Sequence, residues 1–181
     1  MIYLNGIYAQ RNNVSVPNII IPGDVGTPFT NVSNMSTGVG TCTGIGSNAW
    51  GNKYCQMTSI NSGQDFELKF KYITATGNVA IGITSLGGVP ISWTDLNQHI
   101  HEVTTKDIRR YQQPGNILLY HRIQAISTTF FYELHRVSGA YLFYENGVLL
   151  HTLTSGYNGA GNIATSIYQA TGIKEISITK Y

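Results

Sequence analysis

The side chains best suited to chemistry are concentrated between Ser85 and Gly115, where aromatic, amide, carboxylate, imidazole and guanidinium groups are mixed. They are Trp93, Asp95, Asn97, Gln98, His99, Arg109 and Tyr111. Aromatic rings stack on the apolar C–H faces of sugars, and the polar groups hydrogen-bond sugar hydroxyls. This combination predicts ligand recognition, with Tyr157 and Asn158 as a secondary site. In the alternative interpretation, Trp93 plugs the edge of the core and the polar residues belong to an ordinary loop.

Two histidines of this segment, His99 and His101, have the spacing that some metal sites on strands use. A cupin-type site needs a glutamate roughly four or five positions after the second histidine, but Asp107 comes six positions after His101. A hydrogen-bonded or solvated histidine pair is therefore expected. Asp95 and Asn97 are too few to hold calcium, so neither a metal nor another cofactor is predicted.

The sequence offers no catalytic pair. Retaining glycoside hydrolysis needs an acid and a nucleophile about 5 Å apart. The glutamates are isolated along the chain and are interpreted as parts of solvated strand faces or turns: Glu67, Glu102, Glu133, Glu145 and Glu175. No Gly-x-Ser-x-Gly elbow, P-loop or dinucleotide fingerprint occurs. No catalytic residue is predicted, and the chain is expected not to be an enzyme.

Composition excludes several classes of partner. Charged residues make up 11% of the 181 residues, and the formal net charge is +2. Arg109–Arg110 is the one adjacent basic pair, so a nucleic-acid partner is not expected. The longest apolar clusters, such as Ile19–Ile21, are far shorter than the roughly twenty residues of a membrane span. No secretory signal is seen, and the length predicts one domain over residues 1–181.

The two cysteines leave a question open. Cys42 and Cys55 flank a stretch that could fold back as a hairpin and bring the two sulfurs opposite each other. They would then form a disulfide, or remain two buried thiols that behave as small apolar side chains. They do not make a metal site, which would need two further ligands at close spacing.

Alternating apolar and polar residues dominate the chain. In residues 65–72, Asp-Phe-Glu-Leu-Lys-Phe-Lys-Tyr, the alternation predicts a strand with one face in a core. Residues 79–83 are predicted to form a second strand that pairs with it. Residues 129–137, 140–144 and 148–153 predict a three-stranded meander with turns at Ser138–Gly139 and Asn146–Gly147. Further strands are predicted at 163–168 and 173–179.

The remaining segments carry weaker signals. No sustained helical period occurs, and at most a short helical turn is expected near residues 105–111. Residues 85–115 are interpreted as a long irregular insertion. The apolar, proline-terminated segment 18–22 suits an edge strand or an interface. Many short strands with frequent turns predict an all-β chain, folded as an antiparallel two-sheet sandwich or a barrel.

From about Asp65 onward, the pattern resembles the concanavalin A-like lectin and glucanase superfamily, in the broad sense that includes laminin G-like jelly rolls. The match rests on residues 132–150, Tyr-Glu-Leu-His-Arg-Val-Ser-Gly-Ala-Tyr-Leu-Phe-Tyr-Glu-Asn-Gly-Val-Leu-Leu. SPRY-type sandwiches share a similar hairpin. The resemblance implies two curved antiparallel sheets and binding of glycans. Glycosidases of the superfamily carry Glu-x-Asp-x-(x)-Glu on one strand, a motif absent here.

Sandwiches this poor in charge and this rich in Ser, Thr, Asn, Gly and Tyr resemble the receptor-binding heads of viral or bacteriophage fibres. That resemblance implies a glycan or a glycosylated cell-surface receptor as partner, a place on the virion surface or outside the cell, and a homotrimer. Residues 1–30 would then lead in from a shaft or contact neighbouring subunits. Two alternatives remain: a structural coat or capsid protein, and a glycan hydrolase or lyase.

Overall fold

The computed structural model describes residues 18–23, 29–46, 48–75, 78–85, 92–102, 107–112, 117–123 and 126–181, with the backbone alone at 101–102, 107–112 and 121–123. These residues form fifteen strands and a 3-10 turn, Trp93–Asp95. The strands are β1 (Asn18–Ile20), β2 (Thr30–Ser33), β3 (Met35–Gly38), β4 (Thr41–Gly44), β5 (Tyr54–Ile60), β6 (Phe66–Tyr72), β7 (Val79–Thr84), β8 (Gln98–Glu102), β9 (Asp107–Gln112), β10 (Ile117–Ile123), β11 (Tyr132–Val137), β12 (Ala140–Glu145), β13 (Val148–Leu153), β14 (Gly161–Ile167) and β15 (Gly172–Lys180).

The strands form two antiparallel sheets around one main core. The eight-stranded sheet has the order β13-β12-β11-β6-β15-β4-β3, with β1 also paired to β15. The seven-stranded sheet has the order β10-β9-β8-β7-β14-β5-β2. This arrangement confirms the predicted all-β sandwich. Among the described residues, no helix is long and apolar enough to span a membrane.

The main core is built from alternate residues of facing strands. In β6, Phe66, Leu68, Phe70 and Tyr72 are fully buried, while the intervening charged residues are partly exposed. Each buried side chain of this size stabilises the fold by about 1.5–3 kcal/mol relative to exposure. The alternation read from the sequence is therefore confirmed, and it leaves each sheet with a second, outward face.

The predicted meander β11–β12–β13 is confirmed together with its turns. Ser138 and Gly139 have φ angles of 51° and 81°, and Asn146 and Gly147 have φ angles of 48° and 79°. Two successive positive φ angles are those of a type I′ turn, which matches the twist of the flanking strands. The turns fix the register of the three strands, including β11, which carries Glu133 and His135 on its outward face.

The predicted pairing between residues 65–72 and 79–83 is wrong. β6 pairs with β11 and β15 in the eight-stranded sheet, whereas β7 pairs with β8 and β14 in the seven-stranded sheet. The two strands therefore lie in different sheets and do not form a hairpin. Both strands still bury apolar side chains in the same core, which is why the apolar pattern alone did not distinguish the two arrangements.

The interpretation of residues 85–115 as an irregular insertion is also wrong in part. This region supplies β8 and β9, which pair with each other and extend the seven-stranded sheet from β7. A helical turn was expected near residues 105–111, but residues 107–111 belong to β9 instead. Backbone hydrogen bonds to the neighbouring strands override the weak local preference of this polar sequence.

The edge strand expected at residues 18–22 is confirmed as β1. Asn18, Ile19 and Ile20 pair with Lys180, Thr179 and Ile178 of β15. Ile20 is buried against the core, whereas Ile19 is 65% exposed. The lead-in role was predicted for residues 1–30, of which residues 1–17 and 24–28 lie outside the described residues.

Cys42 and Cys55 come from different sheets and meet inside the core, so the proposed hairpin between them is wrong. Cys42 lies in β4 of the eight-stranded sheet and Cys55 in β5 of the seven-stranded sheet. Both are free thiols and fully buried. Burial raises the pKa of the Cys55 thiol well above its ordinary value, and the hydrogen bond and charge of Cys42 raise it further.

Burial of the two thiols should make them inert in the folded protein. The raised pKa of Cys55 lowers its thiolate fraction at any given pH, and the thiolate is the reacting species, while burial keeps reagents away from both sulfurs. At pH 8 we expect iodoacetamide to label neither cysteine within an hour, and both after unfolding in guanidinium chloride, as counted by mass spectrometry. Rapid labelling of Cys55 in the folded protein would contradict its placement in the core.

Candidate functional site

The candidate site lies on the outward face of the seven-stranded sheet. In β7, Val79, Ile81 and Ile83 belong to the main core, so Ala80 and Gly82 face outward. His99 of β8 pairs directly with Gly82. Residues directly opposite in an antiparallel pair share a face of the sheet. The small residues Ala80 and Gly82 therefore lie at the centre of this face, and the imidazole of His99 lies beside them.

Two predicted site residues, Arg109 and Tyr111, lie on the next strand. The register places Tyr111 opposite His99 and Arg109 opposite His101. The backbone thus places these positions beside the strand that carries His99, because β9 follows β8 along the chain and pairs with it. Their side chains, and that of His101, lie outside what the structure describes.

Asp95 and Asn97 act in the structure as clamps of the loop that precedes β8. The Asp95 carboxylate accepts a hydrogen bond of 2.7 Å from the Ser92 backbone N–H. The Thr84 hydroxyl donates to the Asp95 backbone carbonyl, also at 2.7 Å. The Asn97 side-chain oxygen accepts a bond of 2.6 Å from the Ser85 backbone N–H. These bonds fold the 3-10 turn over the sheet and hold Trp93 against it.

Trp93 does not enter the main core. It packs with Trp50 against a smaller apolar cluster on the outward face, whose buried members are Tyr54, Ala80, Leu96 and Ala164. The ring centroids of Trp50 and Trp93 are 6.4 Å apart at an interplanar angle of 58°, and Tyr168 lies 5.5 Å from Trp50. We call Trp50, Trp93 and Tyr168 the aromatic cluster. Both indoles are partly exposed.

Trp50 was not among the site residues predicted from the sequence. Trp50 precedes β5, whereas Trp93 precedes β8, and β14 and β7 separate these two strands in the sheet. One sequence feature could have indicated Trp50. It lies between the small residues Ala49 and Gly51, and a large ring on such a loop needs another side chain to pack against. Identifying that partner requires the strand order, which local sequence does not contain.

Gln98 and His99 are fully buried in this structure. His99 Nδ1 lies 3.0 Å from the Leu96 carbonyl oxygen, and its ring lies 6.1 Å from that of Trp93 at 69°. The expected hydrogen-bonded state of His99 is therefore found. From this position the imidazole orients the Trp93 indole rather than projecting into solvent.

The secondary site predicted at Tyr157 and Asn158 is separate from the aromatic cluster. Tyr157 packs against the main core, and its hydroxyl donates to the Ala160 carbonyl at 2.6 Å. The Asn158 carbonyl accepts a bond of 3.1 Å from the Ser62 hydroxyl. The loop that carries Tyr157 and Asn158 therefore packs against the main core, whereas Trp93 lies on the outward face of the seven-stranded sheet.

Glu67 and Glu133 are isolated along the chain but lie near each other in the structure, and Glu133 is buried rather than on a solvated strand face as expected. The pairing of β6 with β11 sets Glu67 opposite His135 and Glu133 opposite Lys69. His135 Nε2 lies 3.0 Å from Glu133 Oε2 and 3.9 Å from Glu67 Oε2. These residues lie on the outward face of the eight-stranded sheet, on the far side of the sandwich from the aromatic cluster.

No protein-family model and no curated protein sequence matches the chain. Solved structures do match its fold. The carbohydrate-binding module CBM66 from Bacillus subtilis superposes with a TM-score of 0.58 at 11% identity, covering 83% of this chain and 95% of the module. The VIP36 exoplasmic/lumenal domain, in its Ca2+/Man3GlcNAc-bound form, gives 0.60 at 10% identity, with 90% and 87% covered. A native glycosidic hydrolase gives 0.57 at 11% identity, with 93% and 96% covered.

These likenesses show that the chain has the concanavalin A-like jelly-roll fold, as the resemblance of residues 132–150 implied. Binding modules and a hydrolase both match this fold. Because one fold hosts several functions, the function of this chain has to be argued from its own residues.

Proposed function

We propose that this chain binds carbohydrate through the outward face of its seven-stranded sheet and leaves the sugar chemically unchanged. The observation that carries the proposal is the pair of partly exposed indoles, Trp50 and Trp93, whose centroids lie 6.4 Å apart beside β7 and β14. The two matched structures whose descriptions name a carbohydrate-binding module and a bound oligosaccharide support it.

The aromatic cluster suits a sugar for physical reasons. An indole offers a flat apolar surface to the C–H groups of a pyranose ring, and such aromatic contacts contribute about 0.5–1.5 kcal/mol beyond simple area burial. The Asp95 and Asn97 clamps hold the loop before binding, so little conformational entropy is lost when a ligand docks. The positions of Arg109 and Tyr111 on β9 extend the same face and suit hydrogen bonding to sugar hydroxyls.

The biological setting that we propose is the receptor-binding head of a viral or bacteriophage fibre, present as a homotrimer on the virion surface. Support comes from the low charge of 11% and from the abundance of Ser, Thr, Asn, Gly and Tyr. The glycosylated receptor would then be a cell-surface molecule. The mass of the purified full-length chain in solution tests the trimer directly.

Replacing Trp93 with Ala should abolish most of the binding while leaving the fold intact. Losing one stacked ring of about 1–2 kcal/mol lowers affinity roughly 5- to 30-fold. We expect that loss on a glycan array and in titration against the retained glycan, with a melting temperature within a few degrees of wild type. Tyr111→Ala should weaken binding in the same way.

Phe130→Ala is the matched control, because Phe130 is an exposed aromatic residue, at 38%, next to the eight-stranded sheet. It should bind like wild type. If Trp93→Ala unfolds the domain, the indole is a core residue and the site assignment is wrong. Unchanged binding by a folded Trp93→Ala protein would also overturn the assignment.

The same purified protein separates the two alternative functions. A coat or capsid protein would form only large assemblies by light scattering and would retain no glycan. A hydrolase or lyase would release reducing sugar from polysaccharide and lose that activity in Glu133→Gln. The hydrolase alternative is worth testing because the chain matches the fold of a glycosidic hydrolase.

A further inference from the structure

A second group of chemically active side chains lies on the outward face of the eight-stranded sheet. Glu67 projects from β6, and Glu133 and His135 project from β11, since their neighbours Phe66, Leu68 and Leu134 point into the core. The β6–β11 register places Glu67 directly opposite His135. Three potential metal ligands are thus brought together from strands more than sixty positions apart in sequence.

The three ligand atoms are close together and shielded from water. One carboxylate oxygen from each of Glu67 and Glu133 and one ring nitrogen of His135 all lie within 4.8 Å of one another. The side chain of Glu133 is only 10% exposed and that of His135 is 18% exposed, while Glu67 is 30% exposed at the open side. Because Glu133 and His135 are largely enclosed, their side chains are already held in one orientation, unlike carboxylates on a solvated strand.

Neighbouring side chains hold the ligands in place. Lys69 Nζ lies 3.3 Å from Glu133 Oε1, which directs the other carboxylate oxygen, Oε2, towards His135. The Tyr144 ring packs on the His135 ring at a centroid distance of 4.7 Å. The Tyr181 hydroxyl lies 3.5 Å from Glu67 Oε2. Partners of this kind fix the orientation of metal ligands in known sites.

We propose that Glu67, Glu133 and His135 bind one zinc ion on this face. Around a tetrahedral Zn2+ with ligands at about 2.0–2.2 Å, the ligand atoms lie roughly 3.3–3.5 Å apart. The observed distances from His135 Nε2, 3.0 and 3.9 Å, bracket that value. Small side-chain rotations complete the site, and the metal takes the place of the proton on Nε2.

The donor set selects zinc over calcium and magnesium. An imidazole nitrogen favours transition metals and Zn2+, whereas Ca2+ takes six to eight oxygen ligands and Mg2+ requires near-octahedral oxygen coordination. Two carboxylates and one imidazole supply three ligands. Lys69 already neutralises part of the negative charge of Glu133. This further disfavours a cation that would be held by charge alone, such as calcium or magnesium.

Glu67 and His135 also line a cavity of about 330 Å3, which would leave room for a fourth ligand beside a bound zinc ion. Its lining includes Asp65, Val137 and Tyr181 besides Glu67 and His135. Three protein ligands with one open position is the arrangement that leaves zinc able to take water or an oxygen of a small ligand. The site lies on the opposite outward face from the aromatic cluster and is independent of the proposed sugar binding.

The test is titration of the metal-free full-length protein with ZnCl2 by calorimetry, and with Co2+ by visible absorption. Wild type should bind one equivalent of Zn2+ that Glu67→Gln and His135→Gln each lose. Loss of a ligand should weaken this binding more than about 100-fold, beyond the effect of removing an outer-shell partner. Zn2+ should raise the melting temperature of wild type but not of the variants.

Glu175→Gln is the matched control for Glu67→Gln, because Glu175 is a carboxylate of the same sheet that pairs with Lys71 at 2.7 Å and is not one of the proposed ligands. It should bind Zn2+ like wild type. Circular dichroism of the metal-free variants checks folding, and Glu67→Gln, at the exposed side, decides the matter if His135→Gln fails to fold. Wild type that binds no Zn2+, or folded variants that keep the full stoichiometry and affinity, would overturn the proposal.

Discussion

Replacing Arg136 with Ala should destabilise the fold by at least about 4 kcal/mol. The guanidinium is fully buried and donates to three backbone carbonyls, those of Gln64 at 2.8 Å, Asn61 at 2.8 Å and Gly159 at 3.1 Å. It also lies over the Phe66 ring at 5.3 Å. A hydrogen bond from a charged donor contributes about 1.5–3 kcal/mol, and the carbonyls would be left without this donor.

The expected result is a melting temperature lower by about 10 °C or more, or no folded protein at all. Arg136→Lys should recover little of the loss, because an ammonium cannot reproduce the planar fork that reaches three carbonyls. Lys174→Ala, on the partly exposed side of β15, serves as the control and should change stability by less than about 0.5 kcal/mol. A melting temperature near wild type in Arg136→Ala would show that water replaces the guanidinium at these carbonyls.

Replacing Gly82 with Ala should be nearly as damaging, by about 3 kcal/mol. A Cβ atom at this position would overlap the Gln98 carbonyl oxygen and the backbone of His99 on the neighbouring strand. Backbone cannot move aside as a flexible side chain would, so β8 would be displaced. Because His99 orients Trp93, we also expect carbohydrate binding to fall.

Gly38→Ala is the matched control for Gly82→Ala, since a Cβ at Gly38 would meet no atom within 4 Å. It should leave unfolding in urea almost unchanged. If Gly82→Ala unfolds at the wild-type urea concentration, β7 and β8 are not as closely paired as the register of Gly82 with His99 requires.

The sequence predicted the strands whose sides differ in polarity. β6 alternates strictly between core and charged residues, and the turns of the β11–β13 meander carry the residues that positive φ angles require. Such features are local, so they can be read from neighbouring residues. The two-sheet architecture followed from them because each such strand needs a second layer to cover its apolar face.

β8 and β9 escaped prediction because their sequences mix polar residues on both sides. Gln98 and His99 are adjacent and both fully buried, so one lies on each face of β8. Their burial depends on the loops and strands around them, which alternation does not encode. A polar strand of this kind looks like a loop until its neighbours are known.

The types of residue in the candidate site could be predicted from the sequence, but not which residues come together to form it. Trp93 was predicted as a site residue because its residue type suits stacking, whereas the structure shows Asp95 and Asn97 holding the loop through their side chains. Trp50 joins Trp93 only through the order β8-β7-β14-β5. Glu67 and His135 likewise meet only because β6 pairs with β11, a long-range pairing that the sequence pattern leaves open.

The antiparallel pairing of β1 with β15 has a practical consequence for handling the protein. Asn18 stands opposite Lys180, which also pairs with Phe66 of β6, so an affinity tag or surface linker added after Tyr181 emerges between β1 and β6 at one end of the eight-stranded sheet. Immobilisation there leaves the tryptophan-bearing face towards the bulk solution. The same tether would crowd the cavity beside Glu67, so metal measurements call for a tag that is cleaved off.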